Sequence, residues 1–321
     1  MWSIGMDGGG THTRAVLADP AGRVVADDAA GPGNYQLVGL AGVVELVLEL
    51  VSRLEARSGC SLDPSQLSLC VGLAGAGRVP EQEAIAAGLR RAGVGAQIKI
   101  VSDARAGLEG AHGSAPGIVV ISGTGSMVLG KSGSGEEVRA GGLGPLLGDE
   151  GSGYALVLEG LREVLRARDG WAPATRLTSD LAEAFGLSDW DDVIPRVYGG
   201  DLDREQIAAA APVLCDAARD GDAAAQRIVG AGMELLGRQV GAVAGRLAMA
   251  SATDVACLGG VFSRVEQLWP ELERGARAEG EKLRRVPARL PPVYGALLMA
   301  WQATGRPVAD DWVEQLAASP C

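Results

Sequence analysis

The stretch that decides the fold lies near the start of the chain, where residues 5–11 are Gly5-Met6-Asp7-Gly8-Gly9-Gly10-Thr11. The apolar run at 2–7 predicts a short buried strand, and the glycines predict a turn into a second strand at 14–18. A carboxylate at a strand end suits a hydrated Mg²⁺, while glycine amides and a Thr hydroxyl suit phosphate oxygens. A tight hairpin that needs glycines for positive φ angles is the alternative interpretation.

The second half of the chain repeats this arrangement. An apolar run at 118–121 leads into Ser122-Gly123-Thr124-Gly125-Ser126, and strands are predicted at 127–130 and 137–140. Aligning Gly10-Thr11 with Gly123-Thr124 superposes strand, turn, strand, turn and strand in the same order. We therefore predict a duplication, although the low identity between the halves leaves chance similarity open.

The duplication predicts two α/β domains with a ligand cleft between them, since ligands collect at strand carboxyl ends and domain interfaces. The turn at 113–117 is the predicted boundary. We assign 1–115 to an N-terminal domain and 116–321 to a C-terminal domain, and expect a helix near 293–304 to pack back on the N-terminal one.

Composition excludes several classes of protein. The 321 residues are 47% hydrophobic with a net charge of −11, which excludes a mainly disordered chain and disfavours nucleic acids and anionic membranes as partners. The five cysteines form no C-x-x-C pair and only two histidines are present, so a disulfide framework or a His/Cys zinc site is not expected. Because no signal peptide or membrane-spanning stretch is recognised, we expect a cytoplasmic protein.

Three further motifs have two interpretations each. Asp103 follows the predicted strand 98–102, where it could act as a general base in phosphoryl transfer or cap the helix after it. Asp149 and Glu150 could orient sugar hydroxyls or metal-bound waters, or cap the following helix and compensate its dipole. Gly259-Gly260 with Ser263 could lie against a nucleotide base or form a simple turn.

Residues 125–132 match the G-x-x-x-x-G-K-[ST] pattern of a P-loop. A working P-loop needs its Lys and Ser at the start of a helix. Lys131 is instead preceded by strand-like residues and followed by a Ser/Gly turn, so we predict that this match is a decoy.

Taken together, the motifs resemble the N-acetylglucosamine and glucosamine kinase family of the actin, hexokinase and heat-shock-chaperone superfamily. The resemblance rests on six stretches that span nearly the whole chain in the right order: residues 5–11, 31–34, 102–104, 121–126, 141–154 and 257–263. It implies two duplicated ribonuclease-H-like domains, with ATP and sugar in the cleft between them. It also implies phosphorylation of an amino sugar, N-acetylglucosamine or glucosamine, at the 6-hydroxyl.

The resemblance also implies a role for individual residues. Asp103 would be the catalytic base and Asp7 would hold Mg²⁺ through water. ATP would be bound by the two loops and the later glycine motif, which comprise Gly8, Gly9, Gly10, Thr11, Gly123, Thr124, Gly259, Gly260 and Ser263. The sugar would be contacted by Asn34, Asp103, Ser126, Gly142, Gly144 and Asp149. We expect a homodimer.

Two residues depart from the pattern of the family. Leu143 stands where relatives often have Trp, and Met127 stands where some have Asn, which puts the choice of sugar in doubt. The chain also resembles ATPase activators of acyl-CoA dehydratases and reductases, which share the phosphate loops. Those activators hold an iron–sulfur cluster on cysteines, and no such cysteine pattern is present here.

Overall fold

The computed structural model describes residues 1–249, 253–280 and 282–318, which form two units. The first unit contains residues 1–116 together with residues 287–318, and the second is Gly117–Val286. The last three residues, Cys321 among them, lie outside the described part.

The ten strands are β1 Trp2–Gly8, β2 Thr13–Ala18, β3 Val24–Ala30, β4 Leu67–Leu73, β5 Gln97–Ser102, β6 Gly117–Ser122, β7 Ser126–Lys131, β8 Glu137–Gly141, β9 Thr253–Leu258 and β10 Leu283–Arg285. The helices are α1 Tyr35–Ser58, α2 Val79–Arg91, α3 Asp103–His112, α4 Gly153–Arg168, α5 Leu177–Phe185, α6 Val193–Gly199, α7 Arg204–Ala209, α8 Ala211–Arg219, α9 Ala223–Arg246, α10 Trp269–Ala278, α11 Pro292–Ala303 and α12 Asp310–Ala318. Short 3₁₀ turns are found at Pro64–Gln66, Trp190–Asp192 and Glu266–Leu268.

Each unit is built on one five-stranded sheet with the same topology. The order is β3-β2-β1-β4-β5 in the first unit and β8-β7-β6-β9-β10 in the second. In both, the first three strands form an antiparallel meander, the fourth pairs in parallel with the first, and the fifth pairs in parallel with the fourth. The predicted fold class, two duplicated ribonuclease-H-like α/β domains, is therefore confirmed.

Glycines allow helix α11 to approach the first sheet closely. A Cβ atom on Gly5 of β1 would lie 2.3 Å from the backbone nitrogen of Leu297 in α11, and one on Gly295 would lie 1.9 Å from the carbonyl oxygen of Ala106 in α3. The Ser68 hydroxyl donates to the carbonyl oxygen of Ala300 (2.7 Å). Since α11 thus packs directly on β1 and α3, residues 287–318 belong to the first unit, whereas the sequence-based division assigned 116–321 to the second domain.

The second unit has a larger helical layer. Its core lies between the sheet and helices α4, α8 and α9, where Val120, Val157 and Val240 are fully buried. Among the described residues, no helix is both long and apolar enough to cross a membrane.

Candidate functional site

The first loop, residues 9–12, joins β1 to β2. The Gly9 N–H donates to the His12 carbonyl (2.9 Å) and closes a tight turn. None of Gly8, Gly9 and Gly10 has a positive φ angle, so the interpretation of a hairpin that needs glycine for backbone conformation is wrong. Gly8 is needed for packing instead, since its Cβ would lie 2.7 Å from the Leu73 side chain. Gly10 has open space where a Cβ would be, which leaves its amide approachable by a ligand.

Residues 31–34 pack directly on this loop. The N–H groups of Gly33 and Asn34 both donate to the Gly9 carbonyl (2.9 and 3.0 Å), and the Thr13 hydroxyl donates to the Gly31 carbonyl (2.9 Å). Asn34 is the N-cap of α1, because its Oδ1 accepts from the Gln36 N–H (2.9 Å). The amide NH₂ of Asn34 remains available as a donor at the edge of the loop.

Asp103 is the first residue of α3, directly after β5. The N-cap of this helix is Ser102, whose hydroxyl accepts from the Arg105 N–H (3.2 Å), so the interpretation of Asp103 as the cap is wrong. Asp103 Oδ1 accepts the N–H of Ala104 (2.8 Å), the next residue in the chain. Burial raises the pKa of Asp103, which makes its carboxylate a better proton acceptor.

Asp7 is the next-to-last residue of β1 and Asp103 directly follows β5, and these are the two strands that flank β4. Burial, and after it the nearby charge of Asp103, raise the pKa of Asp7 to about 6, while Arg14 acts in the opposite direction. Two carboxylates that disfavour each other's ionisation are a good environment for a divalent cation.

The donor set fits Mg²⁺. The described residues contain no group of three His, Cys, Asp or Glu side chains that could enclose a metal ion. Mg²⁺ does not need one, because it is usually held by one or two carboxylates, several waters and the phosphates of the substrate. Asp7 can supply such a carboxylate.

The second loop, residues 123–125, joins β6 to β7 and is held by side-chain hydroxyls. Gly123 N–H donates to the Gly125 carbonyl (2.9 Å). The Ser122 hydroxyl donates to the Gly151 carbonyl and the Ser126 hydroxyl to the Glu150 carbonyl, both at 2.7 Å. The hydroxyl proton of Ser126, a predicted sugar ligand, is thus already used, and only its lone pairs are left for a ligand.

Asp149 lies against this loop. Its φ is +61°, its carboxylate is buried, and its Oδ2 accepts from Arg204 Nη2 (2.6 Å). The N-cap of α4 is Ser152, whose hydroxyl accepts from the Ala155 N–H (3.1 Å), so neither Asp149 nor Glu150 caps that helix. Glu150 accepts from Gln239 (2.9 Å).

The glycine segment before Asp149 is also joined to the second loop. Gly142 and Gly144 have φ angles of +66° and +85°, and the Gly142 N–H donates to the Ser126 carbonyl (3.0 Å). Leu143, between them, is 58% exposed, so it can contact a ligand.

The end of β9 approaches the second loop through Gly259. Its φ is +100°, and a Cβ there would lie 2.2 Å from the Ser122 carbonyl oxygen, so only glycine fits. Ser263 donates to the Gly260 carbonyl (2.8 Å) and lines an open pocket with Arg219, Arg264 and Gln267.

Lys131 is the last residue of β7, is buried, and lies opposite Gly117 and Glu137 in the sheet. It does not begin a helix, and a turn at 132–135 follows it. The match at 125–132 therefore lacks the helix that a P-loop needs, while its being a decoy for phosphate binding stays a prediction.

The predicted site residues thus form two groups. The first unit holds Asp7, Gly8, Gly9, Gly10, Thr11, Asn34 and Asp103, and the second unit holds Gly123, Thr124, Ser126, Gly142, Gly144, Asp149, Gly259, Gly260 and Ser263. Sequence reasoning missed Thr13, Ser122 and Arg204. Each of them makes a hydrogen bond that stabilises the group within its own unit. The hydroxyls of Thr13 and Ser122 flank the two Gly-rich loops, which is a usable signal, whereas Arg204 is 55 residues from Asp149 and has none.

Known proteins resemble this chain over most of its length. An N-acetylmuramic acid/N-acetylglucosamine kinase of Clostridium acetobutylicum is 29% identical over 92% of this chain and 97% of its own. An N-acetyl-D-glucosamine kinase of Dictyostelium discoideum is 32% identical over 68% of this chain and 72% of its own. The crystal structure of a Chromobacterium violaceum protein with the provisional name N-acetylglucosamine kinase superposes with a TM-score of 0.74 at 28% identity, covering 93% of this chain and 98% of that one.

These matches confirm the predicted resemblance to N-acetylglucosamine and glucosamine kinases. The sequence model of one family matches residues 4–300, nearly the whole described length. The chain therefore belongs to the BadF/BadG/BcrA/BcrD ATPase family.

Proposed function

We propose that this protein is an ATP-dependent kinase that transfers the γ-phosphoryl group to the 6-hydroxyl of an amino sugar, N-acetylglucosamine or glucosamine. The names of the relatives support the substrate class. The single observation that carries the chemistry is Asp103, a carboxylate directly after β5 with a raised pKa, whose helix is capped by Ser102 instead.

Asp103 would act as the catalytic base. Phosphoryl transfer needs the acceptor oxygen held in line with the γ-phosphate and its proton removed as the new P–O bond forms. A carboxylate oxygen of Asp103 can accept the hydrogen bond of the sugar hydroxyl in the ground state and its proton later. The raised pKa of Asp103 brings its basicity closer to that needed near neutral pH.

Asp7 would hold Mg²⁺ through water. The bound ion would supply charge neutralisation to the phosphates of ATP. We assign the phosphate contacts to Thr11, Thr124 and the glycine amides of both loops, and the adenosine contacts to Gly259, Gly260 and Ser263. Support comes from the open space at Gly10 and Gly123, where a Cβ would meet no atom within 4 Å.

The sugar contacts are assigned to Asn34, Ser126, Gly142, Gly144 and Asp149, in addition to Asp103. Two observations support this assignment: the Asn34 amide NH₂ is free of its capping role, and Asp149 is held beside the second loop. The exposed Leu143 next to Gly142 and Gly144 offers an apolar contact to a substituent of the sugar.

The activator function is the alternative from another class. It needs cysteine thiolates for an iron–sulfur cluster. Cys70 and Cys215 are buried in different units, and the described residues hold no group of three His, Cys, Asp or Glu side chains that could hold a metal ion. This favours the kinase.

A coupled ADP-release assay over a panel of sugars tests the proposal. Glucosamine, N-acetylglucosamine, N-acetylmuramic acid, glucose and the 6-deoxy analogue of each active sugar are compared with and without Mg²⁺. We expect Mg²⁺-dependent ADP release with an amino sugar and none with its 6-deoxy analogue. Bound iron, together with ADP release that no sugar stimulates, would overturn the kinase and support the activator.

We also propose a homodimer that works in the cytoplasm without nucleic-acid or membrane partners. The net charge of −11 supports the absence of polyanionic partners. Analytical ultracentrifugation of the purified protein tests the dimer, and a single species at the 32.8 kDa monomer mass would contradict it.

A further inference from the structure

We infer that Arg204 is a positioning residue for the sugar acceptor, acting by holding the carboxylate of Asp149 in place beside the second loop. This inference rests on the proposed function, because it assigns a purpose to Asp149 as a ligand of the acceptor. Arg204 belongs to none of the motifs that identify the family in this sequence.

The ion pair is built into the loop. Arg204 Nη2 lies 2.6 Å from Asp149 Oδ2. A Cβ on Gly125 would lie 2.8 Å from Arg204 Nη2 and 3.0 Å from Asp149 Oδ2, so both charged groups lie close to the backbone of the loop. Gly125 is therefore needed to let this pair approach the backbone of residues 123–125.

Local stability does not explain this arrangement. Asp149 has a φ of +61°, a conformation that costs a non-glycine residue energy. The Nε of Arg204 is buried and finds no hydrogen-bond partner among the described residues. Arg204 also occupies the first turn of a helix, where acidic side chains are favoured. Three unfavourable choices at one contact are expected where function fixes the geometry.

The pair leaves one carboxylate oxygen for a ligand. Asp149 Oδ2 is engaged by Arg204, whereas no hydrogen bond to Oδ1 is found among the described residues. By holding Oδ2, Arg204 fixes the rotation of the carboxylate, so that Oδ1 can accept a hydrogen bond from a sugar hydroxyl.

The test is a double-mutant cycle on steady-state constants, using R204Q, D149N and the double variant. We expect R204Q to raise the KM for the sugar roughly 10- to 100-fold, the range for a hydrogen bond to a charged group. The KM for ATP and the melting temperature should change little. The double variant should be no worse than D149N alone, because Arg204 acts through Asp149.

Two further variants complete the experiment. R168Q removes an exposed ion pair of the same unit, Arg168 with Asp191 at 3.2 Å, and should leave both KM values unchanged. R204K keeps the cation and should restore part of the loss. If R204Q does not fold, R204K carries the test, with an expected rise of at least about threefold in the KM for the sugar.

The outcomes separate the inference from the proposed function. An unchanged KM for the sugar in R204Q, or in R204K where R204Q does not fold, would overturn the inference while the kinase stands. Losses that multiply in the double variant would overturn it too, because Arg204 would then act independently of Asp149. An unsubstituted protein that phosphorylates no sugar would overturn the proposed function and this inference with it.

Discussion

The first loop (residues 9–12) and the second loop (residues 123–125) occupy the same place in duplicated sheets but carry different chemistry. Each is closed by a strand pair, Gly8 with Thr13 in one and Ser122 with Ser126 in the other. The residue before the closing pair is Asp7 in the first unit and Ile121 in the second. The duplication thus conserves the loop scaffold but not the charge at the strand end.

The two loops also differ in how they are held. Backbone N–H groups of Gly33 and Asn34 converge on the Gly9 carbonyl in the first unit. Hydroxyls of Ser122 and Ser126 reach the backbone of residues 150–151 in the second, next to an ion pair that is neutral overall. The first unit therefore presents the carboxylates of Asp7 and Asp103, whereas the second presents an ion pair without net charge.

D103N is the most direct test of the proposed role of Asp103 as the general base. General-base catalysis contributes about 10²- to 10⁴-fold, so we expect kcat to fall by at least about two orders of magnitude. Ser102 caps α3, so the melting temperature and the KM for ATP should change little. D63N, at the exposed cap of the 3₁₀ turn Pro64–Gln66, is the matched control and should retain full turnover. Near-full activity in D103N would assign the base elsewhere, with Asp149 the next carboxylate to test.

G259A tests whether the second loop depends on backbone contact. A side chain at φ +100° and 2.2 Å from the Ser122 carbonyl combines backbone strain with overpacking. We expect the free energy of unfolding to fall by about 2–4 kcal/mol. The neighbouring G260A meets no atom within 4 Å and should stay within about 0.5 kcal/mol of the unsubstituted protein in urea titrations. Equal stabilities of the two variants would contradict the close approach.

The raised pKa of Asp7, near the end of β1, predicts that the free energy of unfolding depends on pH. The pKa of Asp7 is raised from 3.8 to about 6, so between these values the folded protein binds more protons than the unfolded chain. The contribution of Asp7 therefore destabilises the fold increasingly as pH rises from 4 to 6, and the cost is complete above about 6.

D7N removes this titration. Relative to the unsubstituted protein in metal-free buffer, D7N should gain about 1–3 kcal/mol between pH 4 and pH 7. Denaturant titrations at the two pH values measure this difference. If D7N and the unsubstituted protein differ in free energy of unfolding by the same amount at both pH values, the carboxylate of Asp7 ionises normally.

The smallest effect is expected for K131M. Lys131 ends β7 and does not begin a helix, so it should contribute little to phosphate binding. We expect the KM for ATP to stay within about threefold, whereas removal of a true P-loop lysine would cost about two orders of magnitude. A loss of that size would make residues 125–132 part of the nucleotide site.

The strands and their loops were predictable because apolar runs ended by glycines are local signals. The strand predicted at 14–18 lies within β2, and the strand predicted at 137–140 lies within β8. Adjacent Ser102 and Asp103 are both good N-cap residues, so the sequence could not tell which one caps α3. The structure resolves this, because Ser102 is the cap and Asp103 is the first residue of the helix.

Other parts of the site depend on contacts between distant residues. The purpose of Gly8 became clear only from its packing against the Leu73 side chain, and not from its own φ angle. No periodicity or spacing in the sequence predicts that Asp149 pairs with Arg204. The assignments of ligands to individual residues stay predictions.

The return of residues 287–318 to the first unit has a consequence for how the protein is made. During synthesis the chain of the second unit, Gly117–Val286, is complete before the first unit has received α11. Helix α11 packs against helix α3 at Gly295 and against strand β1 at Gly5. Helix α3 begins with Asp103, and β1 contains Asp7. A nascent chain released before residue 287 would hold a whole second unit and a first unit without the helix that supports its two carboxylates.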